Sequence, residues 1–197
     1  MAKPVKLPTP EYMHKMQAKS EVMMAAFIKL DQVLEQLQTT AFEQLNAQGL
    51  KPDQPEGKEE LRRYYMALDP LLPVFFAAVQ AQHQIEVIEL KITKHCNAWL
   101  EDSKLLQKKG VFTVLAEIQD YVEQERKPVF ELLEQLKEHM LKLKKAKLKP
   151  LKALAKQYHK ALGIMDEVLH DYTWLNVIGT EDEVGDLQYD PGLMLYD

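Results

Sequence analysis

Apolar residues recur three and four positions apart along four long stretches of the chain. In the first stretch, residues 10–48, this spacing predicts a helix with one apolar face. Thr9 as N-cap and Pro10 at the first helical position predict its start, and Gly49 predicts its end. The stripe consists of Met13, Met16, Met23, Phe27, Leu30, Leu34, Leu37, Ala41 and Leu45.

A loop and a short helix precede the second long stretch. Prolines and a glycine in residues 50–57 predict the loop, and residues 59–68 are predicted to form the short helix. This helix must end before Pro70, because a residue preceding proline avoids helical angles. Asp69 as N-cap and Pro70 at the first position then predict a long helix that Gly110 ends. Its stripe consists of Leu71, Val74, Ala78, Ala81, Ile85, Ile88, Ile92, His95 and Trp99.

The third and fourth stretches contain internal prolines. Pro128 predicts a kink or break in the third helix, and Lys149-Pro150 predicts a turn before the fourth helix, which we expect to end near residues 176–179. The third stripe consists of Val111, Val114, Ile118, Tyr121, Val129, Leu132, Leu136, Met140 and Leu143. The fourth consists of Leu151, Leu154, Tyr158, Leu162, Met165, Leu169 and Tyr172.

These elements predict an all-α fold, an up-and-down bundle of about four long, proline-kinked helices with an irregular acidic C-terminal segment. A length of 197 residues with 46% hydrophobic and 28% charged residues fits one globular domain, and 7 glycines are few for a β-sandwich. We expect an extended lead over residues 1–9, a bundle domain over residues 10–179 and an acidic, apolar tail over residues 180–197.

Charge is segregated between the fourth helix and the C-terminal segment. Lysines at helical spacing are followed by acids, and no lysine or arginine comes after Lys160. The lysines are Lys142, Lys145, Lys149, Lys152, Lys156 and Lys160, and the acids are Asp166, Glu167, Asp171, Glu181, Asp182, Glu183, Asp186, Asp190 and Asp197. The pattern predicts a basic amphipathic helix. Its lysines either form a solvated outer face of the bundle, or bind an acidic partner or the acidic tail, or bind an anionic membrane surface.

The tail also carries apolar residues. They include Tyr189, Leu193, Leu195 and Tyr196. Because Asp190-Pro191-Gly192 prevents a long helix, we expect them to pack on the bundle or on a partner. With the six lysines, they are the predicted partner-binding residues.

Two Glu-x-x-His spacings are the only ones that resemble a metal motif. They are Glu11 with His14 and Glu167 with His170, and Glu101 and Glu117 could add carboxylates from other helices. The four residues of the two Glu-x-x-His spacings lie beside the apolar stripes rather than on them, so we expect no metal and no cofactor. A metal-carboxylate enzyme stays the least favoured alternative.

His95 and Cys96 suggest a nucleophile with its base, but adjacent helical residues point about 100° apart. We therefore interpret them as a buried structural pair. The sequence contains no Gly-rich phosphate loop, Gly-x-Ser-x-Gly turn or Cys-x-x-Cys pair, so we expect no catalytic residues and no small-molecule substrate. A net charge of −5 argues against nucleic-acid binding.

Paired aromatic residues are the remaining sign of an interface. The pairs are Phe75-Phe76 and Tyr64-Tyr65. In each pair one ring can face the core, and the other ring must contact another layer, the short helix or a partner chain. Met24 is a weaker candidate for such a contact.

The sequence thus predicts a non-catalytic protein-binding module of the adaptor, regulator or inhibitor type that uses an exposed helix face and the acidic tail. The alternative is a peripheral membrane binder acting through residues 137–160. A single cysteine, no leader-like segment and no apolar run of membrane length predict a cytoplasmic protein.

Overall fold

The computed structural model describes residues 9–171, which are all-helical, so the all-α prediction is confirmed. Helices contain 88% of these residues, and the described part has no strand. The seven helices are α1 (Pro10–Ala47), α2 (Pro55–Leu68), α3 (Leu72–Glu101), α4 (Ser103–Lys109), α5 (Val111–Glu125), α6 (Lys127–Leu143) and α7 (Lys149–Asp171). The predicted count of about four differs because two of the long stretches are divided. Most of the predicted lead and the whole tail lie outside the described residues.

The start and end of α1 follow the predicted signals. The backbone N–H of Tyr12 donates to Thr9 Oγ1 at 3.3 Å, and Pro10 occupies the first helical position. Gly49, just beyond the end of α1, has a φ of 73°, a left-handed conformation that glycine adopts without steric cost. The cap and the glycine stop are therefore confirmed.

The second long stretch divides at a residue that the sequence did not single out. α3 ends at Glu101 because the Asp102 carboxylate accepts hydrogen bonds from the N–H groups of Lys104 and Leu105, both at 3.0 Å, and caps the new helix α4. The prediction of one helix as far as Gly110 was wrong. The break before Pro128 is confirmed, since α5 ends at Glu125.

The main core joins α1, α2, α3, α6 and α7. α3 packs along α6, α6 packs against α7, and α7 packs along α1. The rings of Phe27 and Tyr158 lie 6.0 Å apart across the α1–α7 contact. The predicted stripe residues that are buried in this core are Met16, Met23, Phe27, Leu30, Leu34, Ala41, Leu45, Ala78, Ala81, Ile85, Val129, Leu136, Met140, Leu143, Leu151, Leu154, Tyr158, Leu162, Met165 and Leu169.

A second, smaller cluster forms where the end of α3 meets α4 and α5. Its buried members are Ile92, Cys96, Val114, Ile118 and Val122. Because α3 changes neighbours along its length, its buried face shifts, and the predicted stripe fails there. His95 is exposed whereas Cys96 is 1% exposed, and Val111 at the start of α5 is 51% exposed rather than buried.

Asp69 ties together two connections at one end of the molecule. The predicted N-cap role was wrong, since α3 begins at Leu72. Instead, the carboxylate of Asp69 is buried and accepts from the N–H of Leu71 at 2.9 Å, of Lys147 at 2.6 Å and of Leu148 at 2.9 Å. It thereby links the α2–α3 connection to the α6–α7 connection.

We expect Asp69→Ala to lower the free energy of unfolding by about 2 kcal/mol at neutral pH, because buried N–H groups lose a charged acceptor. Burial acts to raise the pKa of Asp69, but the three backbone hydrogen bonds and the Lys147 charge together lower it. A carboxyl with a lowered folded-state pKa stabilises the fold above its unfolded-state pKa and loses that effect as pH falls through the folded-state value. The difference between the parent and the variant should therefore shrink in acid.

Urea unfolding followed by circular dichroism at neutral pH and through the acid range measures this difference. Asp53→Ala removes an exposed carboxyl from the α1–α2 loop and is the matched control. An equal loss of stability in both variants, or a difference that stays constant in acid, would contradict the role of Asp69.

No single described helix is long and apolar enough to cross a membrane. α2 and α3 together have the length and apolar character of a span, but they meet at a bend of 110°.

Candidate functional site

The lysine face consists of exposed lysines on α7, at the end of α6 and in the connection between these two helices. We define it by the six residues that the sequence predicted, and the structure exposes all of them: Lys142, Lys145, Lys149, Lys152, Lys156 and Lys160. None of them forms an ion pair with another residue of the described part. The row therefore presents uncompensated positive charge to its surroundings.

Acidic side chains of α7 lie beyond this row and are used elsewhere. Between Lys149 and Met165, α7 contains no Asp or Glu. Asp166 lies 3.9 Å from Lys137 Nζ of α6, and Glu167 is paired with Lys19 of α1. The hydrogen bond from Lys19 is the main cause of the lowered pKa of Glu167. These acids fasten α7 to its neighbours and leave the lysine face basic.

The opposite side of α7 is fully used by the main core. Leu151, Leu154 and Tyr158 are 0% exposed, and Leu162 is 1% exposed. An amphipathic helix that lies on a membrane must place its apolar side in lipid. While the protein is folded, α7 offers only its charges, which suits an acidic surface that needs no apolar contact.

The other predicted partner-binding residues cannot be placed. They are Tyr189, Leu193, Leu195 and Tyr196, and they lie outside the described residues. The predicted docking of the tail on the lysine face stays a prediction for the same reason.

A cleft between α1 and α3 was missed in the sequence. Its cavity of about 280 Å³ is lined by polar side chains from both helices, and we call it the carboxyl cleft. Tyr158 of α7 donates through its hydroxyl to Gln82 Oε1, and Gln82 Nε2 donates to Glu86 Oε1 at 2.8 Å. The lining residues are Asp31, Leu34, Glu35, Gln38, Val79, Gln82, His83 and Glu86.

Two carboxyl groups of this cleft have raised pKa values. Burial raises the pKa of Glu86 to about 7, the nearby charge of Asp31 adds to the shift, and the hydrogen bond from Gln82 opposes it. Burial also raises the pKa of Asp31, against the charge of His83. The cleft can therefore gain or lose a proton near neutral pH. The sequence signal that could have indicated this cleft is the pair of polar residues Gln82 and Glu86, four positions apart among apolar residues of α3.

The metal-like spacings are described only in part, because the second of them includes His170. The described residues contain no group of three or more His, Cys, Asp or Glu that could hold a metal ion. Glu117 instead accepts from Lys109 Nζ at 2.7 and 2.9 Å, and Glu167 is paired with Lys19. Glu11, His14 and Glu101 are exposed, and the side chain of His170 lies outside the described part.

His95 and Cys96 do not form a reactive pair. Burial raises the pKa of the Cys96 thiol to about 11, with Arg126 opposing the shift and Glu89 adding to it, so the nucleophilic thiolate is disfavoured. The expectation that both residues are buried was wrong for His95. Its exposed ring lies 4.7 Å from Trp99 and 4.4 Å from Tyr121.

The paired aromatic residues are used inside the molecule. Phe75 and Phe76 are both buried, and the ring of Phe76 lies 5.0 Å from Tyr65 of α2. Of the three expected alternatives for Phe75 and Phe76, the contact with the short helix is therefore the one that the structure has. Met24 is 51% exposed on α1.

Comparisons of the chain with protein-family models, with curated proteins and with solved structures found no significant match. The functional argument therefore rests on the surfaces and charges described above.

Proposed function

We propose that this chain is a non-catalytic protein-binding module whose lysine face contacts an acidic protein surface. The observation that carries the proposal is a set of exposed lysines without ion pairs in the described part, four of which are held on α7, whose other side is buried. From Lys149 to Lys160 the row extends about 16 Å, since a helix rises ~1.5 Å per residue. This length suits an acidic helix or an extended acidic segment.

The rest of the proposal concerns the framework and the tail. α1, α3, α6 and α7 act as the long members of an up-and-down bundle that presents α7 rigidly. The acidic segment over residues 180–197 occupies the lysine face when no partner is present, and its apolar residues form a second contact in the complex. Charge complementarity between the tail and the six lysines supports this arrangement.

A protein partner is favoured over a bilayer for this surface. The apolar side of α7 is committed to the core, so a bilayer would gain only electrostatic contacts with the lysine face. An acidic protein surface can also hold its carboxylates at fixed positions that match several lysines at once.

We expect the double variant Lys152→Gln/Lys156→Gln to bind poly-glutamate about tenfold more weakly than the parent protein at low salt, since each lost exposed contact is worth somewhat under 1 kcal/mol. Removing residues 180–197 should strengthen binding, because the competing acids are gone. Fluorescence anisotropy with labelled poly-glutamate measures both effects.

Lys51→Gln/Lys91→Gln is the matched control, because it removes two exposed lysines and the same net charge elsewhere. Equal weakening in the two double variants would show that net charge, not the lysine face, governs binding. Unchanged affinity after removal of residues 180–197 would refute competition by the tail and leave the lysine face itself untouched.

A further inference from the structure

An exposed apolar pair lies where α4 meets α5. Phe112 is 66% exposed, the highest exposure of a large apolar side chain in the described part, and its neighbour Val111 is 51% exposed. Lys104 and Lys108 of α4 are exposed as well. We call this surface, formed by Lys104, Lys108, Val111 and Phe112, the α4–α5 corner. It lies on α4 and α5, which contribute residues to the smaller cluster, and it shares no residue with the lysine face.

The corner is held in place by defined contacts. Gly110 has a φ of 82° and turns the chain between the two helices, and its N–H donates to the carbonyl oxygen of Leu106 at 2.9 Å. Lys109 of α4 donates to Glu117 of α5 at 2.7 Å. Leu105 and Leu106 pack against the smaller cluster. The apolar pair is therefore exposed on an anchored turn.

The charges around this apolar pair are one-sided. Between Asp102 and Glu117 the sequence contains no acid. Asp102 is occupied in capping α4, and Glu117 is paired with Lys109. Lys104 and Lys108, one helical turn apart, form no ion pair with other described residues. Exposed cations of α4 thus lie within a few residues, along the chain, of the exposed apolar side chains of α5.

We propose that the α4–α5 corner docks on an anionic lipid bilayer. Phe112 and Val111 enter the boundary between headgroups and acyl chains, where aromatic side chains are favoured. Lys104 and Lys108 bind the anionic headgroups. Because both apolar side chains are exposed on the first turn of α5, they can enter a fluid interface without a preformed pocket.

Charge complementarity favours this occupant over a second copy of the chain. Two copies that met through this corner would bring Lys104 and Lys108 against their equivalents, which is repulsive. An anionic bilayer compensates these charges and also takes up the apolar pair, so one surface satisfies both features.

Vesicle flotation with the full chain tests the proposal. The probes are phosphatidylcholine vesicles with and without phosphatidylserine. We expect binding to the anionic vesicles only, and a loss of about tenfold in Phe112→Ser, the effect of withdrawing one largely inserted aromatic ring. Phe112→Leu should keep most of the binding, and Lys104→Gln/Lys108→Gln should lose about tenfold.

Leu141→Ser is the matched control, because Leu141 is also a large apolar residue, 51% exposed, on α6. Cooperative urea transitions like that of the parent protein show that each variant is folded. The proposal is overturned by absent flotation, by equal losses in Phe112→Ser and Leu141→Ser, or by a loss confined to Lys152→Gln/Lys156→Gln, which would place lipid binding on the lysine face. It is also overturned if the parent self-associates in sedimentation without vesicles and Phe112→Ser does not, since the corner would then be a protein contact.

Discussion

Replacing Arg126 with methionine is expected to lower the free energy of unfolding by about 3 to 5 kcal/mol, the range found when one partner of a buried ion pair is removed. Arg126 lies in the turn between α5 and α6 and is 2% exposed. Its Nε and Nη2 atoms donate to the two carboxylate oxygens of Glu89 on α3, at 2.9 and 2.8 Å. Its Nη1 donates to the carbonyl oxygen of Leu169 on α7 at 3.0 Å.

The size of this effect comes from what the variant leaves behind. The Glu89 carboxylate, only 15% exposed in the side chain, would lose its bidentate cation, and the Leu169 carbonyl would lose a donor near the end of α7. Arg126→Lys should recover part of the loss at most, because an ammonium cannot bind both carboxylate oxygens and the carbonyl in the same planar geometry. Urea unfolding followed by circular dichroism measures the free energy of unfolding of the parent protein, Arg126→Met and Arg126→Lys.

Lys127→Met removes the adjacent exposed cation and is the control. The double variant Arg126→Met/Glu89→Leu should be more stable than Arg126→Met alone, since replacing both charges with apolar groups avoids leaving the Glu89 carboxylate without its bidentate contact to Arg126. Similar stabilities of Arg126→Met and Lys127→Met would contradict the proposed role of Arg126 in joining three helices.

Local signals predicted several helix boundaries correctly, because those boundaries are decided by neighbours in sequence, but α2 begins at Pro55, inside the loop predicted over residues 50–57. Thr9, Pro10 and Gly49 act on α1 through contacts within four residues, and Pro128 acts on α6 in the same way. The break at Asp102 follows the same physics, but an aspartate inside a helical pattern is a weaker signal than a proline or glycine.

Periodicity identifies which face of a helix is buried, but not which helices bury it. α1, α6 and α7 each keep one set of neighbours, so their stripes were predicted well. α3 passes from the main core to the smaller cluster, so Cys96 replaces His95 on its buried face. Asp69 and Arg126 were not understood from the sequence because their partners are dozens of residues away along the chain.

Of the candidate surfaces, one could be predicted from a local pattern in the sequence and two could not. The lysine face could be predicted because charge at helical spacing and an apolar stripe on the same helix fix its exposure. The α4–α5 corner could not, since the spacing of Val111 matched the buried residues of α5 and only the tertiary structure exposes it. The carboxyl cleft needs residues from α1, α3 and α7 at once, which no local pattern contains.

Glu86→Gln is expected to make the protein more stable above neutral pH, by up to about 3 kcal/mol, the free-energy equivalent of a pKa raised from 4.5 to about 7. A carboxyl with a raised folded-state pKa costs nothing below its unfolded-state pKa, where both states are protonated. As pH rises from 4.5 to about 7, the unfolded state ionises first and the parent protein loses stability. Above that range the cost is constant.

The glutamine variant keeps the oxygen that accepts from Gln82 Nε2, so the Tyr158–Gln82 contact should survive and the pH dependence between about 4.5 and 7 should flatten. Glu35→Gln removes an exposed carboxyl from the same cleft and should leave that pH dependence in place. Urea unfolding of the three proteins at a series of pH values makes the comparison. If Glu86→Gln and the parent protein lose stability in parallel as pH rises, Glu86 does not hold a proton in the folded state and the cleft has no titration near neutral pH.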